Sequence, residues 1–346
     1  MQLFRSILIF VFIIIFANPF HSSAQNPAIK PAIEKLKAGK VFEKKGQYKE
    51  AIASYQLALI IFSNHENLVG VAVSLQNIGM MYNLLGKYDK AIEHFFQSFS
   101  VFSELKSGDG MARVLTNIGS LYKSWGKYDK AIEHYQAALV VEQKLGREGK
   151  VSTLLRKIGL IHKLIGENDK ALEYLEKGLA INQKLRKEDK VSSSLTDIGL
   201  IHHFKGQYNK ALEYLEKALV IDQKIGKKDA VSRSLNNLGI VYQAKGQYDK
   251  AIKLHQEALK IDRKLGVSEY IATDLNNIGL MHHLQGQYEE AIEHYQESLA
   301  IDRKLGKKDT SITLNNIGMV YRVWGRYEKA MEYFQQGLDM NRKLGN

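Results

Sequence analysis

Apolar and polar residues alternate along most of this chain with helical spacing, and residues 229–265 show the pattern most clearly. From Asp229 to Lys245, small or apolar side chains stand at positions i, i+3, i+4 and i+7, which lie on one helix face: Leu235, Leu238, Gly239 and Tyr242. This spacing predicts a helix A that Gly246 ends. A second face alternates with charged residues and predicts a helix B that ends at Leu265: Ala251, His255, Ala258, Leu259 and Asp262.

The helix pair recurs with a period of 40 residues. One glycine column follows helix A, with a last interval of 39: Gly46, Gly86, Gly126, Gly166, Gly206, Gly246, Gly286 and Gly325. A second column lies seven residues earlier: Gly39, Gly79, Gly119, Gly159, Gly199, Gly239, Gly279 and Gly318. Such self-similarity indicates a repeat array. We therefore predict a short linker at 25–31 and eight antiparallel helix pairs over 32–346.

The residues at fixed offsets within each unit resemble a known motif. In repeat 6 they have the spacing of the pattern W-x2-L-G-x2-Y, A-x3-F, A: Leu235, Leu238, Gly239, Tyr242, Ala251, His255 and Ala258. All eight units resemble the tetratricopeptide repeat family. The longer period and the Leu-Asn-Asn sequence at 235–237 are similar to the repeats of kinesin light chains.

The resemblance implies an all-α fold, an α-solenoid in which eight antiparallel helix pairs form a right-handed superhelix with a concave groove. Two departures from the family pattern matter. Leucine replaces the usual tryptophan in repeats 2 to 8, and the closing proline is absent throughout. Without that proline, helix B can continue for about six residues, which accounts for a period of 40 instead of about 34.

Asparagines recur on a second face of helix A, although they are poor helix formers. The resemblance implies that this face lines the groove and touches a bound peptide, at Asn77, Asn117, Asn237, Asn277 and Asn316. A neighbouring column has the same candidate role: Asn236, Asn276 and Asn315. The alternative is that asparagines bond neighbouring helices. Repeats 1, 4 and 5 carry Lys37, Lys157 and Asp197 instead, so we expect two groove segments rather than one.

Beside the asparagines runs a strip of apolar residues, of which Ile240 and Leu280 are the leading candidates for ligand contact. His203, His283 and Arg322 flank the strip with donor groups. Such a strip suits a protein or extended peptide segment with hydrophobic and acidic side chains. Ordinary packing between helices is the alternative interpretation.

The first 24 residues have the pattern of a secretory signal peptide. Arg5 precedes an apolar run over 7–17, and small residues stand at 22–24. Eleven apolar residues are too few to span a bilayer, which needs about 20. We expect cleavage after Ala24 and export to the periplasm or the medium; a membrane anchor formed by residues 7–17 is the alternative.

Composition and motifs exclude several other functions. The net charge of +12 comes largely from lysines near predicted helix C-termini, where cations complement the helix dipole, so we expect no nucleic-acid partner. The chain contains no cysteine and no motif for catalysis, for a cofactor or for a small-molecule substrate. The adjacent histidines 202–203 and 282–283 point about 100° apart on a helix and cannot chelate one metal ion. We therefore predict a protein that is not an enzyme.

These observations favour a non-catalytic scaffold that binds a protein or peptide segment in its groove. The alternative is the extracytoplasmic sensing module of a signalling system such as a membrane histidine kinase. Repeat 8 has no polar capping element after it, and solenoids usually need one. We expect that Leu338 and Leu344 are covered by self-association or by a partner chain.

Overall fold

The structure, a computed structural model of the chain, describes residues 27–306 and 310–344, with side-chain environments as far as 342. The predicted signal peptide at 1–24 lies outside the described residues. A short 3-10 turn, Pro27–Ile29, precedes sixteen α-helices, and this part of the chain contains no strand. The helices are α1 (Lys30–Lys44), α2 (Tyr48–Asn64), α3 (Leu68–Leu84), α4 (Tyr88–Glu104), α5 (Gly108–Ser124), α6 (Tyr128–Lys144), α7 (Glu148–Leu164), α8 (Asn168–Lys184), α9 (Glu188–Phe204), α10 (Tyr208–Lys224), α11 (Lys228–Ala244), α12 (Tyr248–Leu265), α13 (Ser268–Leu284), α14 (Tyr288–Lys304), α15 (Ser311–Val323) and α16 (Tyr327–Leu344).

Odd-numbered helices are helix A of each repeat and even-numbered helices are helix B, so the all-α solenoid fold of paired helices is confirmed. In repeat 6 the observed helices, α11 and α12, match the predicted bounds to within a residue at three of their ends. The array begins slightly earlier than predicted, because α1 starts at Lys30 with Pro31 in its first turn. Proline fits there, since the first N–H groups of a helix have no partner within the helix.

The turn after helix A is closed by a glycine in the left-handed region, as predicted. Gly246 has φ of 70°, and Gln247 donates its backbone N–H to the carbonyl of Tyr242 at 2.9 Å. This bond satisfies one of the carbonyls that a helix end leaves without a partner. The same arrangement recurs where the backbone N–H of Gln207 donates to the carbonyl of His202 at 2.8 Å and that of Gln287 donates to the carbonyl of His282 at 2.9 Å.

By its internal packing the chain divides into two compact units, one ending at Ile181 and the other beginning at Asn182. The division falls inside α8. In the first unit, successive helices from α1 to α7 pack on each other, and its largest core is centred on buried residues such as Phe95, Ile118 and Tyr135. In the second unit, successive helices from α9 to α16 pack in the same way.

The second glycine column lets helix A approach its own helix B. A Cβ on Gly279 would lie 3.1 Å from the backbone carbonyl oxygen of Ala291. A large side chain is as close or closer elsewhere: a Cβ on Gly119 would lie 2.6 Å from the ring of Tyr135, and one on Gly239 would lie 2.6 Å from Nε2 of His255. The glycine therefore makes room for a large side chain one helical turn further along helix B.

Candidate functional site

The two asparagine columns are adjacent in sequence but have different environments. The first asparagine column is Asn236, Asn276 and Asn315. Asn236 donates from Nδ2 to Oδ1 of Asp274 on α13 at 2.6 Å, and its Oδ1 lies 2.6 Å from Nδ1 of His255. Because the amide nitrogen faces Asp274, the imidazole Nδ1 must carry the hydrogen and donate it. Both ends of the Asn236 amide are thus used between neighbouring helices.

Asn276 makes the equivalent connection one repeat later. Its Nδ2 donates to Oγ of Ser298 on α14 at 2.5 Å and to the carbonyl of Ala272 at 3.2 Å. Oγ1 of Thr313, on α15 of the next repeat, donates to Oδ1 of Asn276 at 3.5 Å. Asn315 is exposed, and its Oδ1 would lie 2.8 Å from a Cβ placed on Gly337. The geometry of Asn236 and Asn276 is that of stacking residues.

The second asparagine column stands one residue later, about 100° around each helix. All of its members are half-buried: Asn77, Asn117, Asn237, Asn277 and Asn316. Their amides form no hydrogen bond with another of the described residues and are not enclosed. A half-buried amide with free donors and a free acceptor is held in place by its neighbours and can still bond to a ligand.

The positions that interrupt the second asparagine column are occupied differently. Lys157 donates from Nζ to Oγ of Ser120 at 3.4 Å and lies 5.2 Å from the ring centre of Tyr135. Burial, followed by the nearby charges of Lys123 and Arg156, lowers the pKa of Lys157. Asp197 is buried in the second unit.

The predicted apolar strip is only partly available. Ile240 and Leu280 are half-buried, and Leu280 packs against the cores that contain Met281 and Ile292. A more exposed set lies seven residues, or two helical turns on the same face, after the second-column position of five repeats; in repeats 2, 7 and 8 that position holds an asparagine. We call it the apolar column: Leu84, Leu164, Phe204, Leu284 and Val323, between 46% and 66% exposed. These residues were not among the predicted contacts, although an apolar side chain two positions before a turn glycine is a signal visible in the sequence.

The flanking donor residues are placed as follows. Arg322 is exposed, and His203 and His283 are half-buried. Burial lowers the pKa of His283 below its usual value. The ring of His203 lies between Phe204 and Tyr208, with ring centres 5.6 and 5.8 Å away.

The histidines that replace the motif tyrosine are packing residues. His162 and His202 are buried, His282 is half-buried, and each has Nδ1 2.6 Å from a side-chain oxygen in the following turn. The acceptors are Glu167, Gln207 and Gln287. Over residues 27–306 and 310–344, no three His, Asp or Glu side chains are grouped as metal ligands would be. None of the helices described there has the length and apolarity needed to cross a membrane.

Solved structures with this fold include proteins of several kinds. BtubC (BKLC) from P. vanneervenii is 22% identical, with a TM-score of 0.55, and the match covers 71% of this chain and 94% of BtubC. A kinesin light chain-like protein of Podosopora anserina with nearly identical repeats is also 22% identical, with a TM-score of 0.51, over 57% and 97% of the two chains. A Rap protein in complex with competence and sporulation factor is 14% identical, with a TM-score of 0.55, over 92% and 99%.

A comparison with curated proteins finds no match. The family model described as tetratricopeptide repeat matches five spans, which together cover most of the chain: 33–104, 70–143, 110–184, 190–264 and 270–343. The matched spans contain the paired helices, the two glycine columns and both asparagine columns. The chain therefore belongs to the tetratricopeptide repeat family.

Proposed function

We propose that this protein is a non-catalytic scaffold that binds an extended protein segment along the A-helix face, which we define as the second asparagine column together with the apolar column. The observation that carries the proposal is the second asparagine column itself. Within each unit its amides are held half-buried at intervals of one repeat, and none bonds to another described residue. Tetratricopeptide repeats are generally protein-binding scaffolds, and the Rap protein complex shows that a protein with this fold accommodates a partner.

The chemistry of the A-helix face suits a peptide backbone. An asparagine amide can donate to a carbonyl and accept from an N–H of the same extended segment, which gives affinity without selecting a sequence. Two turns along the helix from Asn77 and Asn277, Leu84 and Leu284 offer exposed apolar surface for the ligand's own apolar side chains. Amides thus hold the backbone while the apolar column selects side chains.

The interruptions divide the proposed binding face into two segments. Asn77 and Asn117 belong to the first unit, and Asn237, Asn277 and Asn316 belong to the second. Between them the corresponding positions hold Lys157 and Asp197, which are occupied by other contacts or buried. We propose that each unit engages its own length of extended chain.

The adjacent columns provide a matched test. Peptides retained from a displayed random library would be titrated against three proteins: the wild type, Asn237→Ala plus Asn277→Ala, and Asn236→Ala plus Asn276→Ala. A ligand hydrogen bond contributes about 1 kcal/mol net, so the first variant should bind roughly 10- to 100-fold more weakly. Its melting temperature should be unchanged or slightly higher, because alanine is the better helix former.

The second variant should show the opposite result. Removal of Asn236 takes away the partner of Asp274 Oδ1 and of His255 Nδ1, at a cost of about 1–3 kcal/mol in the free energy of unfolding. Peptide affinity at a temperature where the protein is folded should stay close to that of the wild type. Normal binding by the first variant, or the absence of any retained peptide, would contradict the proposal.

The proposed location is outside the cytoplasm, on the basis of residues 1–24. N-terminal sequencing of the protein from its native cells should find Gln25 as the first residue. Recovery of intact Met1 from the membrane fraction would contradict cleavage and would support an anchor formed by residues 7–17.

The proposed partners also include a second copy of the chain, through α16. Met331 and Leu338 on α16 are 73% and 44% exposed, whereas their counterparts one repeat earlier, Ile292 and Leu299, are 7% and 5% exposed. Leu344 lies outside the residues whose side chains are described. Exposed apolar area of this kind favours pairing with another apolar surface.

A further inference from the structure

The second unit contains buried carboxylates at the junctions between its repeats. At the junction of repeats 5 and 6, Asp222 is 4% exposed and accepts two hydrogen bonds. Ser192 Oγ donates to its Oδ1 at 2.6 Å, and Ser234 Oγ donates to its Oδ2 at 2.7 Å. A hydroxyl is a donor, so both oxygens of an ionised Asp222 are satisfied.

The next junction has the same construction with one difference. Asp262 occupies the place of Asp222, 40 residues on, and Ser232 Oγ donates to its Oδ2 at 2.5 Å as Ser192 does one repeat earlier. The place of Ser234, however, is taken by Asp274. Asp262 and Asp274 both have no exposed surface.

One oxygen of each carboxyl has no conventional donor. Oδ1 of Asp262 and Oδ2 of Asp274 are enclosed and have no hydrogen-bond partner while both groups are treated as ionised. Ser232 and Asn236 stand one turn apart on α11 and donate to Asp262 and Asp274 respectively, so the two carboxyls are neighbours, and Asp262 acts on Asp274 both through its charge and as a hydrogen-bond partner. A buried oxygen left unpaired costs about 1–3 kcal/mol, and two adjacent buried negative charges cost more.

We propose that Asp262 and Asp274 share one proton, and that this proton makes the hydrogen bond which the hydroxyl of Ser234 supplies at the preceding junction. The protonated carboxyl donates to the other as a hydroxyl would, so both unpaired oxygens are satisfied and one negative charge is removed. At alkaline pH the proton is lost, and the junction of repeats 6 and 7 loosens.

Among the residues that the structure describes, the surroundings of the pair supply donors but no compensating cation. From α11 come the hydroxyl of Ser232 and the amide of Asn236, which donates to Oδ1 of Asp274. α12 brings Asp262 and His255, whose Nδ1–H is engaged by Asn236. α14, on the other side of α13, brings Ser298 to Asn276 and brings no charge to Asp274.

His255 cannot serve as the missing cation. Its Nε2 is enclosed beside Gly239 without a partner, and burial lowers its pKa to about 4, so the imidazole is neutral at physiological pH. Burial is also the main reason why the pKa of Asp274 rises to about 7; the amide of Asn236 opposes the shift, and the charge and hydrogen bond of Asp262 add to it. The geometry and the electrostatics agree on one proton in this pair.

The sign of the resulting pH dependence follows from the raised pKa. The unfolded chain loses the proton of this aspartate near pH 4, whereas the folded chain keeps it until about pH 7. Its contribution to stability is therefore complete below about pH 4 and is lost as pH rises through about 7. His255 has the opposite sign, since stability is lost on acidification below about pH 6.5. Comparison with an Asp274 variant cancels the His255 contribution.

The test uses carboxyl 13C resonances of aspartate in the chain from Gln25 onward, titrated from about pH 4 to about pH 9. The wild type should show one aspartate carboxyl that titrates near neutrality. Asp274→Ser, which introduces the hydroxyl found at the preceding junction, and Asp274→Asn, which supplies an N–H, should both remove that titration. Asp222→Asn is the matched control and should leave it in place.

Thermal unfolding provides the second measurement. From about pH 5 to about pH 8, the melting temperature of the wild type should fall relative to that of Asp274→Ser, while Asp222→Asn should keep the wild-type dependence. Hydrogen exchange in α12 and α13, corrected for intrinsic rates, should accelerate with pH in the wild type and in Asp222→Asn, but not in the two Asp274 variants. Full ionisation of every wild-type aspartate by about pH 5, or the same pH dependence in the wild type and both Asp274 variants, would overturn the proposal.

Discussion

The backbone of Gly239 lies directly against the imidazole of His255, so closely that a Cβ on residue 239 would be 2.6 Å from Nε2 and 2.7 Å from Cε1. The imidazole has no exposed surface, and its Nδ1 is fixed by Asn236. Residue 239 in helix A must therefore be a glycine, because a Cβ there would overlap the enclosed ring of His255 on helix B.

Gly239→Ala should destabilise the protein, although alanine improves helix propensity by about 1 kcal/mol. Overpacking costs about 1–3 kcal/mol, which leaves a net loss on the order of 1 kcal/mol in the free energy of unfolding. Chemical denaturation measures it. Gly108→Ala is the control, because its Cβ would meet Leu145 at an ordinary 3.4 Å, and it should be neutral or stabilising. Addition of His255→Ala should reduce the cost of Gly239→Ala; strictly additive effects would refute a clash.

His134→Tyr should reduce the loss of stability in acid. Burial, and to a lesser extent Lys130, lowers the pKa of His134 to about 4, so the unfolded chain binds a proton below about pH 6.5 that the folded chain does not. Stability is thus present above about pH 6.5 and lost as pH falls toward 4, by up to about 3 kcal/mol. Tyrosine occupies the equivalent place at Tyr174, so the stack on Tyr122 can be kept. Melting curves between these pH values that shift equally in both proteins would contradict the assignment.

Arg186→Gly should stabilise the turn between α8 and α9. Arg186 has φ of 51°, a region that costs a residue with a Cβ about 1–2 kcal/mol, whereas the equivalent Gly226 adopts φ of 70° without that cost. Glycine also has greater entropy in the unfolded chain, which offsets part of this benefit. A gain of about 0.5–1 kcal/mol in the free energy of unfolding should remain. The melting temperature reports it. Lys187→Gly, at φ of −90°, removes a charge in the same turn and should give no gain.

Met331→Glu plus Leu338→Glu should abolish self-association through α16. We expect the wild type to show a concentration-dependent increase in mass by sedimentation equilibrium, because side chains that are covered in earlier repeats are exposed here. The double variant should remain monomeric. Gln335→Glu, an exposed polar position on the same helix, controls for added charge. A wild type that is monomeric at every concentration would eliminate a second copy as the partner.

The helices and their ends could be predicted because the determinants are local. A glycine such as Gly246 ends helix A through its own φ, and the apolar spacing around Leu235 and Leu238 assigns the buried face. Both signals lie within one repeat and recur in the others. A repeat in which a signal is weak can therefore be assigned from its neighbours. The division at Ile181 has no such signal, since the period of 40 residues continues through it.

The different environments of the two asparagine columns could not be predicted from a helical wheel. Asn236 and Asn237 are equal in chemistry and differ by about 100° around the helix. Asn236 differs from Asn237 because it bonds to Asp274, which lies in the next repeat, and to His255, which lies in the partner helix. Whether Asn237 and Asn277 contact a ligand stays a prediction, as does export of the chain.

The apolar column was missed for a different reason. Leu164 and Phe204 fit the apolar periodicity of helix A, and that periodicity cannot distinguish a core residue from an exposed one near the end of a helix. Only the position of neighbouring helices reveals the exposure. Sequence therefore predicts which side chains share a face of helix A, but not which of them are exposed.

The buried polar junctions of the second unit also bear on how such an array can evolve. Duplication or loss of a repeat joins a helix B to a helix A that it did not previously meet. Deletion of residues 228–267, for example, would place Asp222 opposite Asp274 without the amide of Asn236. The order of these repeats is thus fixed by pairs of enclosed side chains at their junctions. An array with its repeats in another order would need compensating substitutions at each new junction.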